Sequence, residues 1–215
     1  MEILYLGHSS FHIKGKNASV VTDPFDSTMV GMRFPKVAAT IVTVSHEHAD
    51  HNKTELVGDA KKVIRGPGEY EIEGVSVIGI PSYHDSEKGR VRGRNTIYVI
   101  EIDGLRVAHL GDLGHKLGDD VVEAIGDVDV LMVPVGGVYT IGPQEAAEVA
   151  RAIEPNIIIP MHYQVSGLNA EAFSELKDEK LFIGELGLTT RPEKKLSLKA
   201  GEDEETTDVV VLEIV

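Results

Sequence analysis

The sequence has neither cysteine nor tryptophan among its 215 residues. The lack of cysteine excludes a disulfide scaffold, an iron–sulfur cluster, thiol catalysis and a cysteine zinc finger. Any bound metal must therefore be held by nitrogen and oxygen ligands. The remaining composition, with 42% hydrophobic and 26% charged residues, is typical of a globular chain that can bury a sizeable core.

Basic residues are also scarce. Lysine and arginine total 21 against 35 aspartate and glutamate residues, which gives a formal net charge of −14. Nucleic-acid coat proteins need cations to neutralise phosphate, so we expect no nucleic-acid partner, although a local basic pocket remains compatible with the sequence. Two bound divalent cations would bring the charge to about −10.

Long apolar runs are missing as well. No stretch approaches the roughly 20 residues of a membrane helix. The N-terminal segment Met1–Gly7 has no basic leader and no long apolar run, so it predicts a strand rather than a signal peptide. We therefore expect a cytoplasmic protein that does not associate with membranes.

The order of predicted elements changes near the middle of the chain. The first 110 residues are mostly β, with a buried, β-branched run at Ile41–Val44 and a hairpin turn at Asp103–Gly104. In the second half strands alternate with helices, which are predicted at 119–125, 144–153 and 169–176. An acidic loop at 201–208 precedes a final strand at 209–214. With no linker or repeat, we expect one α/β domain over residues 1–215, with helices covering sheets.

One six-residue segment is rich in metal-binding side chains: His46-Glu47-His48-Ala49-Asp50-His51. At this composition, chance would give the pattern in roughly one chain in a thousand. In extended backbone His46 and His48 lie on one face and can converge on one ion, whereas Asp50 and His51 can turn toward a second. Imidazole and carboxylate ligands suit zinc, iron or manganese.

Further candidate ligands follow apolar strands elsewhere in the chain. His84, Asp112 and His162 each come within a few residues of a predicted strand end. Loops at strand ends are where a scaffold presents functional side chains. Together with the six-residue segment, these residues indicate a metal site.

The pattern His46-x-His48-x-Asp50-His51, with His84, Asp112 and His162 downstream, resembles the metallo-β-lactamase superfamily. Flanking segments are similar to the branch of the ascorbate-6-phosphate lactonase and its small relatives: Gly7–Phe11, Ser82–Asp85, His109–Asp112, Pro134–Gly137, Thr140–Pro143 and Pro160–Tyr163. The resemblance implies a four-layer αβ/βα sandwich with metals at one edge, between the two sheets.

The resemblance also implies roles for individual residues. The first metal would be held by His46, His48 and His84. The second would be held by Asp50, His51 and His162, and Asp112 would bridge the two. Asp23 matches an acidic position that supports the metal loop in the family, although it could equally cap the turn before Pro24.

The implied chemistry is hydrolysis. Two divalent ions can share a bridging water and lower its pKa toward neutrality, and the hydroxide then attacks a carbonyl or phosphorus. Asp50 is the best candidate to orient this nucleophile and move its proton. We therefore expect a hydrolase of a small ester, lactone or phosphodiester that uses two ions, zinc first and manganese or iron as alternatives.

Two other functions fit the same fold. One is a metal-dependent oxidoreductase, mononuclear or diiron, but diiron reductases of this type carry glutamate where this chain has His48. The other is a catalytically silent metal-binding protein, which the complete ligand set disfavours. The sequence leaves open whether the chain forms a homo-oligomer.

Four residues are candidates for substrate binding: His8, His115, Tyr139 and Arg94. His8 lies in a Gly/Ser turn, and His115 follows Asp112 by three residues. Tyr139 follows the pair Gly136–Gly137. Arg94 could bind an anion, but it belongs to a basic loop that solvent alone would also explain.

Overall fold

The computed structural model describes residues 1–201 and 206–215. Its strands are β1 (Glu2–Gly7), β2 (Ser10–Lys14), β3 (Ser19–Thr22), β4 (Val37–Ala38), β5 (Ile41–Val44), β6 (Val57–Gly58), β7 (Lys62–Arg65), β8 (Gly68–Ile72), β9 (Val75–Tyr83), β10 (Arg94–Ile102), β11 (Leu105–His109), β12 (Val130–Pro134), β13 (Ile157–Met161), β14 (Thr190–Glu193), β15 (Leu196–Ser197) and β16 (Asp208–Leu212). Its helices are α1 (Ser27–Val30), α2 (Asp119–Ile125), α3 (Pro143–Ile153), α4 (Ala170–Phe173) and α5 (Glu179–Leu186), with a 3₁₀ turn at Thr54–Leu56. In the described part of the chain, every helix is too short or too polar to span a membrane.

Most strands form two sheets with the same internal plan. The first sheet has the order β15-β1-β2-β3-β5-β7, and the second has the order β14-β16-β13-β12-β11-β10-β9-β8. In each, antiparallel strands continue into parallel ones, at β3–β5–β7 in the first and at β11–β12–β13–β16 in the second. The parallel strands β5, β12 and β13 are buried at every residue, which explains their almost continuous apolar sequences.

Alternation along these strands builds three apolar layers. In β13, Ile157 and Ile159 point into the core between the two sheets, and Ile158 points to the opposite face. Side chains of α3 and α5 cover that outer face, where Phe182 is fully buried. The outer face of the first sheet is covered mainly by short segments, with Phe173 of α4 among them. The expected four-layer α/β sandwich is confirmed.

The helices differ from the sequence expectation in the region after β13. The predicted helix 169–176 is limited to Ala170–Phe173, and α5 was not predicted. Asp178 explains the separate start of α5, because its side chain accepts a hydrogen bond from the Lys180 N–H. Gly187 ends α5 in the left-handed conformation. The expected acidic loop 201–208 lies partly outside the described residues.

Candidate metal centre

The fold brings the strand ends together at one edge of the sandwich. The histidine-rich segment follows β5, His84 follows β9, and Asp112 lies three residues after β11. His162 directly follows β13. Because β5, β9, β11 and β13 all end at this edge, the loops that carry these residues meet although they are far apart in sequence.

Asp112 lies at the centre of the resulting cluster and is almost completely buried. Its Oδ2 atom is surrounded by four imidazole nitrogens. The distances are 3.2 Å to His51 Nε2, 3.3 Å to His84 Nε2, 3.4 Å to His162 Nε2 and 3.8 Å to His46 Nε2. The residue expected to bridge two metals therefore contacts ligand candidates of both.

The candidate ligands form two groups, in each of which the ligand atoms lie within 4.8 Å of one another. The open group consists of His46, His48 and His84, of which His48 is exposed to solvent. The buried group consists of His8, Asp50, His51 and His162, all of them buried. The structure thus brings together all seven residues that the resemblance implied as ligands, and it adds His8.

His8 was expected to contact substrate, but its nearest polar partner is Asp50. The His8 Nε2 atom lies 3.1 Å from Asp50 Oδ2, and the ring centroids of His8 and His162 are 4.2 Å apart. His8 Nδ1 has no hydrogen-bond partner in the described chain. Sequence reasoning could not find this contact, because the turn that carries His8 meets the histidine-rich loop only in the fold.

Asp23 supports both groups from beneath. Its Oδ2 lies 2.9 Å from His51 Nδ1 and accepts a hydrogen bond from Ser45 Oγ at 2.5 Å. Its Oδ1 accepts from the Ser45 N–H at 2.7 Å. Ser45 Oγ in turn lies 2.9 Å from His46 Nδ1. Asp23 and Ser45 therefore fix both rings with their Nε2 atoms directed toward Asp112.

Tight backbone contacts position two of the histidines. A Cβ atom on Gly136 would lie 2.2 Å from the His162 carbonyl oxygen, and one on Gly114 would lie 2.3 Å from the His84 carbonyl carbon. Only glycine allows such approaches. His162 itself has a φ of 51°, a conformation that non-glycine residues seldom adopt. The positions of these ligand candidates thus depend on local backbone geometry.

The cluster contains two buried, ionised carboxylates, which are stabilised by positive charge nearby. Burial raises the pKa of Asp112, but the His162 and His51 rings outweigh it and hold this pKa well below its ordinary value. Burial also raises the pKa of Asp50, and His51 and His8 outweigh it in the same way. For His51, burial lowers the pKa, but Asp112 and Asp50 raise it far above the ordinary value. Without metal, a proton on His51 supplies part of the missing charge.

The polar atoms of the cluster fit a divalent metal. Burial lowers the pKa of His46 to about 3, so its ring is neutral. The unpaired nitrogen of a neutral imidazole ring is an acceptor, as is a carboxylate oxygen. In the described chain several buried atoms have no hydrogen-bond partner, among them His46 Nε2, His162 Nε2 and Asp112 Oδ1. Imidazole nitrogen and carboxylate oxygen are ligands of zinc, manganese and iron, so cations would satisfy atoms that otherwise face one another unpaired.

A cavity of about 450 Å³ opens beside the cluster. Its polar side is formed by Asp50, His84, Asp112 and His162. Its other walls are mostly apolar and include Met29, Ala49, Tyr139, Ala172 and Phe173. This cavity gives a small molecule access to the candidate ligands.

The candidates for substrate binding occupy different places. Tyr139 lines the cavity, and its hydroxyl donates to the Ala172 carbonyl at 2.6 Å. His115 lies outside the cavity wall, where its Nε2 accepts from the Tyr83 N–H at 3.2 Å. Arg94 lies in a separate groove on the other side of His48. Arg92, which sequence reasoning treated only as part of a basic loop, lines both the cavity and that groove.

Comparison with known families agrees with this architecture. Residues 2–162 match the model of the β-lactamase superfamily domain. The match spans the first strand, the histidine-rich loop, Asp112 and His162. The chain therefore belongs to the metallo-β-lactamase superfamily.

Individual relatives cover nearly the whole chain. A candidate zinc-dependent hydrolase of this superfamily from Thermotoga maritima is 39% identical and superposes with a TM-score of 0.80, covering 98% of this chain and 97% of its own. A protein from Thermococcus onnurineus named a metal-dependent hydrolase is 26% identical over 84% of this chain and 93% of its own length. CmlA, a diiron β-hydroxylase from Streptomyces venezuelae, has a TM-score of 0.66 at 13% identity, covering 98% of this chain and 53% of its own, which shows a common fold alone.

Proposed function

We propose that this metal-dependent hydrolase of the metallo-β-lactamase superfamily holds two divalent ions, with zinc as the first expectation, and cleaves an ester, lactone or phosphodiester bond of a small molecule. The observation that carries the proposal is the position of Asp112. Its Oδ2 lies within 3.4 Å of His84 Nε2 in the open group and of His51 Nε2 and His162 Nε2 in the buried group. One carboxylate between two sets of acceptor atoms supports two cations rather than one.

Two ions bound by these groups would lower the pKa of a shared water and polarise the bond to be broken. Around them, the protein has to orient the water, accept its proton and exclude bulk solvent. Asp50 is placed to orient the water and to take up its proton, because its carboxylate lines the cavity and belongs to the buried group. His8 Nε2 holds Asp50 Oδ2 in place at 3.1 Å.

The apolar walls of the cavity can exclude bulk solvent. Phe173 is buried and packs against His8, with their ring centroids 5.0 Å apart. Tyr139 packs edge-on against Phe173, with a distance of 6.2 Å between the ring centroids. These aromatic rings limit the access of water to the buried group, so a substrate that fills the cavity would complete its enclosure. The similarity to the ascorbate-6-phosphate lactonase branch, the cytoplasmic location and the absence of a nucleic-acid partner stay predictions.

Metal content per chain tests the proposal. The protein is incubated with zinc or, separately, with manganese, then desalted and measured by mass spectrometry. We expect about two ions per chain, and fewer than one for Asp112→Asn because both groups lose their common carboxylate. Asp59→Asn is the matched control, since Asp59 is exposed and its φ of 59° suits asparagine. The loaded protein is then screened with lactones, esters and phosphodiesters.

One ion or none with both metals would contradict the two-ion proposal. Two ions without turnover on any of the three bond types would leave the metal centre standing and reject the hydrolytic assignment.

A further inference from the structure

Arg92 occupies an unusual position for a cation in an acidic protein. It is half-buried and lines the cavity beside the candidate metal centre together with His48 and Asp50. Its guanidinium carbon lies 5.6 Å from the centre of the Tyr139 ring, and its Nη2 donates to the Val138 carbonyl at 3.2 Å. The guanidinium is thus held on one side, and its remaining N–H groups are available to a ligand.

Four of the eight arginines have a carboxylate within 4.0 Å in the described chain: Arg65, Arg90, Arg106 and Arg191. Arg65 contacts Glu47 at 2.6 Å, and Arg90 contacts Glu87 at 3.3 Å. Arg106 lies 3.7 Å from Glu101. Arg92 shares with Arg33, Arg94 and Arg151 the lack of a carboxylate within 4.0 Å in the part of the chain that the structure describes, but of these four only Arg92 lines the cavity. Glu47, one of the acids that line the cavity, is bound by Arg65.

The loop that carries Arg92 is held in one conformation by Asp85. The buried Asp85 carboxylate accepts hydrogen bonds from the N–H groups of Glu87 and Gly89 through Oδ1, and from those of Val91 and Arg92 through Oδ2. The bond to the Arg92 N–H is 2.7 Å long. This fixed backbone lowers the entropy lost when the Arg92 side chain binds a ligand.

We infer that Arg92 binds an anionic oxygen group of the substrate, so that the hydrolase acts on small molecules that carry a phosphate or a carboxylate next to an apolar body. The planar guanidinium can donate two parallel hydrogen bonds to two oxygens of either group, a planar carboxylate or a tetrahedral phosphate. The apolar wall of Met29, Tyr139 and Phe173 lies in the same cavity and suits the remainder of the molecule. The inference deepens the proposed function and rests on it for the location of the reacting bond.

Binding of substrate fragments tests the inference without turnover. The probes are phenylphosphonate, benzoate and the neutral benzamide, titrated into zinc-loaded protein by calorimetry. Arg92→Gln is expected to weaken the binding of phenylphosphonate, benzoate or both by about 10–100-fold and that of benzamide less than about twofold. The anion that loses more affinity identifies phosphate or carboxylate as the recognised group.

Two variants serve as controls. Arg90→Gln removes an exposed arginine of the same loop that is paired with Glu87, and it is expected to bind all three probes unchanged. Arg92→Lys keeps the positive charge but loses the planar guanidinium that can donate two parallel hydrogen bonds. Its affinity for the two anions is therefore expected to lie between those of the wild type and Arg92→Gln. Zinc content is measured for each variant, since anions can also bind zinc directly.

The inference is overturned if the unchanged protein binds neither anion at millimolar concentration. It is also overturned if Arg92→Gln binds both anions as wild type does, or if Arg94→Gln alone causes the loss. Because the readout is affinity at equal metal content, these results are separate from a failure of the proposed hydrolysis. The latter would appear as two bound ions without turnover.

Discussion

The open and buried groups of the candidate metal centre share Asp112 but differ in their contact with solvent. His48 of the open group is exposed, whereas every member of the buried group is covered. The buried group also contains a carboxylate of its own, Asp50, and Asp23 contacts His51 directly. An ion in the buried group would therefore be held by more negative charge and exchange more slowly.

Removal of one ligand from each group gives the largest expected difference. We expect His162→Asn to lose the slowly exchanging ion and His48→Asn to lose the rapidly exchanging one, each with more than about a 100-fold drop in affinity at its own group. Asparagine suits position 162 because it tolerates a positive φ. Zinc release to a chromogenic chelator measures both rates. Identical release kinetics in the two variants would contradict the assignment of two unlike groups.

Substitution of two glycines tests the difference between the open and the buried group by displacing the backbone of one histidine in each. Gly136→Ala would displace the His162 backbone, and Gly114→Ala would displace that of His84, because the added Cβ atoms would lie within 2.3 Å of backbone atoms. We expect each to lower the free energy of unfolding by about 1–3 kcal/mol and to weaken binding only at its own group. Chemical denaturation and metal content measure the two effects.

Gly184→Ala is the control for this pair. Gly184 lies inside α5, and an added Cβ would meet nothing within 4 Å. It is expected to raise the stability by up to about 1 kcal/mol, as alanine favours helix over glycine. If Gly136→Ala and Gly114→Ala were as stable as this control, the tight contacts would not position the histidines.

The smallest expected effect on metal affinity comes from Asp23 and Ser45, which contact the Nδ1 atoms of His51 and His46. Asp23→Asn removes the charge next to His51, so affinity in the buried group should fall by about 10–100-fold with the fold intact. Ser45→Ala removes the contact with His46 Nδ1 and should weaken the open group by a smaller factor. Competition with a chelating dye measures both. A larger loss in Ser45→Ala than in Asp23→Asn would reverse the expected order.

Local sequence patterns predicted most strands of the second sheet and the helices α2 and α3, but they missed the two edge strands β8 and β14 and the helix α5. The apolar run at Ile157–Ile159 and the proline at position 143 gave β13 and the start of α3, since burial and proline geometry act locally. The helix α5 was missed because its apolar face is short and its start depends on Asp178. Sequence reasoning predicted no helix or strand between residues 177 and 192.

The ligand set was predicted as far as spacing and resemblance allow. The histidine-rich segment is contiguous, so its chemistry is visible in one short stretch of chain. The contact of His8 with Asp50 spans 42 residues, and the position of Arg92 depends on hydrogen bonds to the Asp85 carboxylate. No local pattern encodes such contacts, so the surroundings of these two residues are visible only in three dimensions.

The late position of His162 in the chain has a consequence for biosynthesis. The three histidines of the open group have all been synthesised once the ribosome passes residue 84, but the buried group is incomplete until residue 162. At usual translation rates the interval is on the order of several seconds. During that interval the nascent chain contains all three histidines of the open group but lacks His162 of the buried group, so under the two-ion proposal the open group would be the first to have its full set of residues.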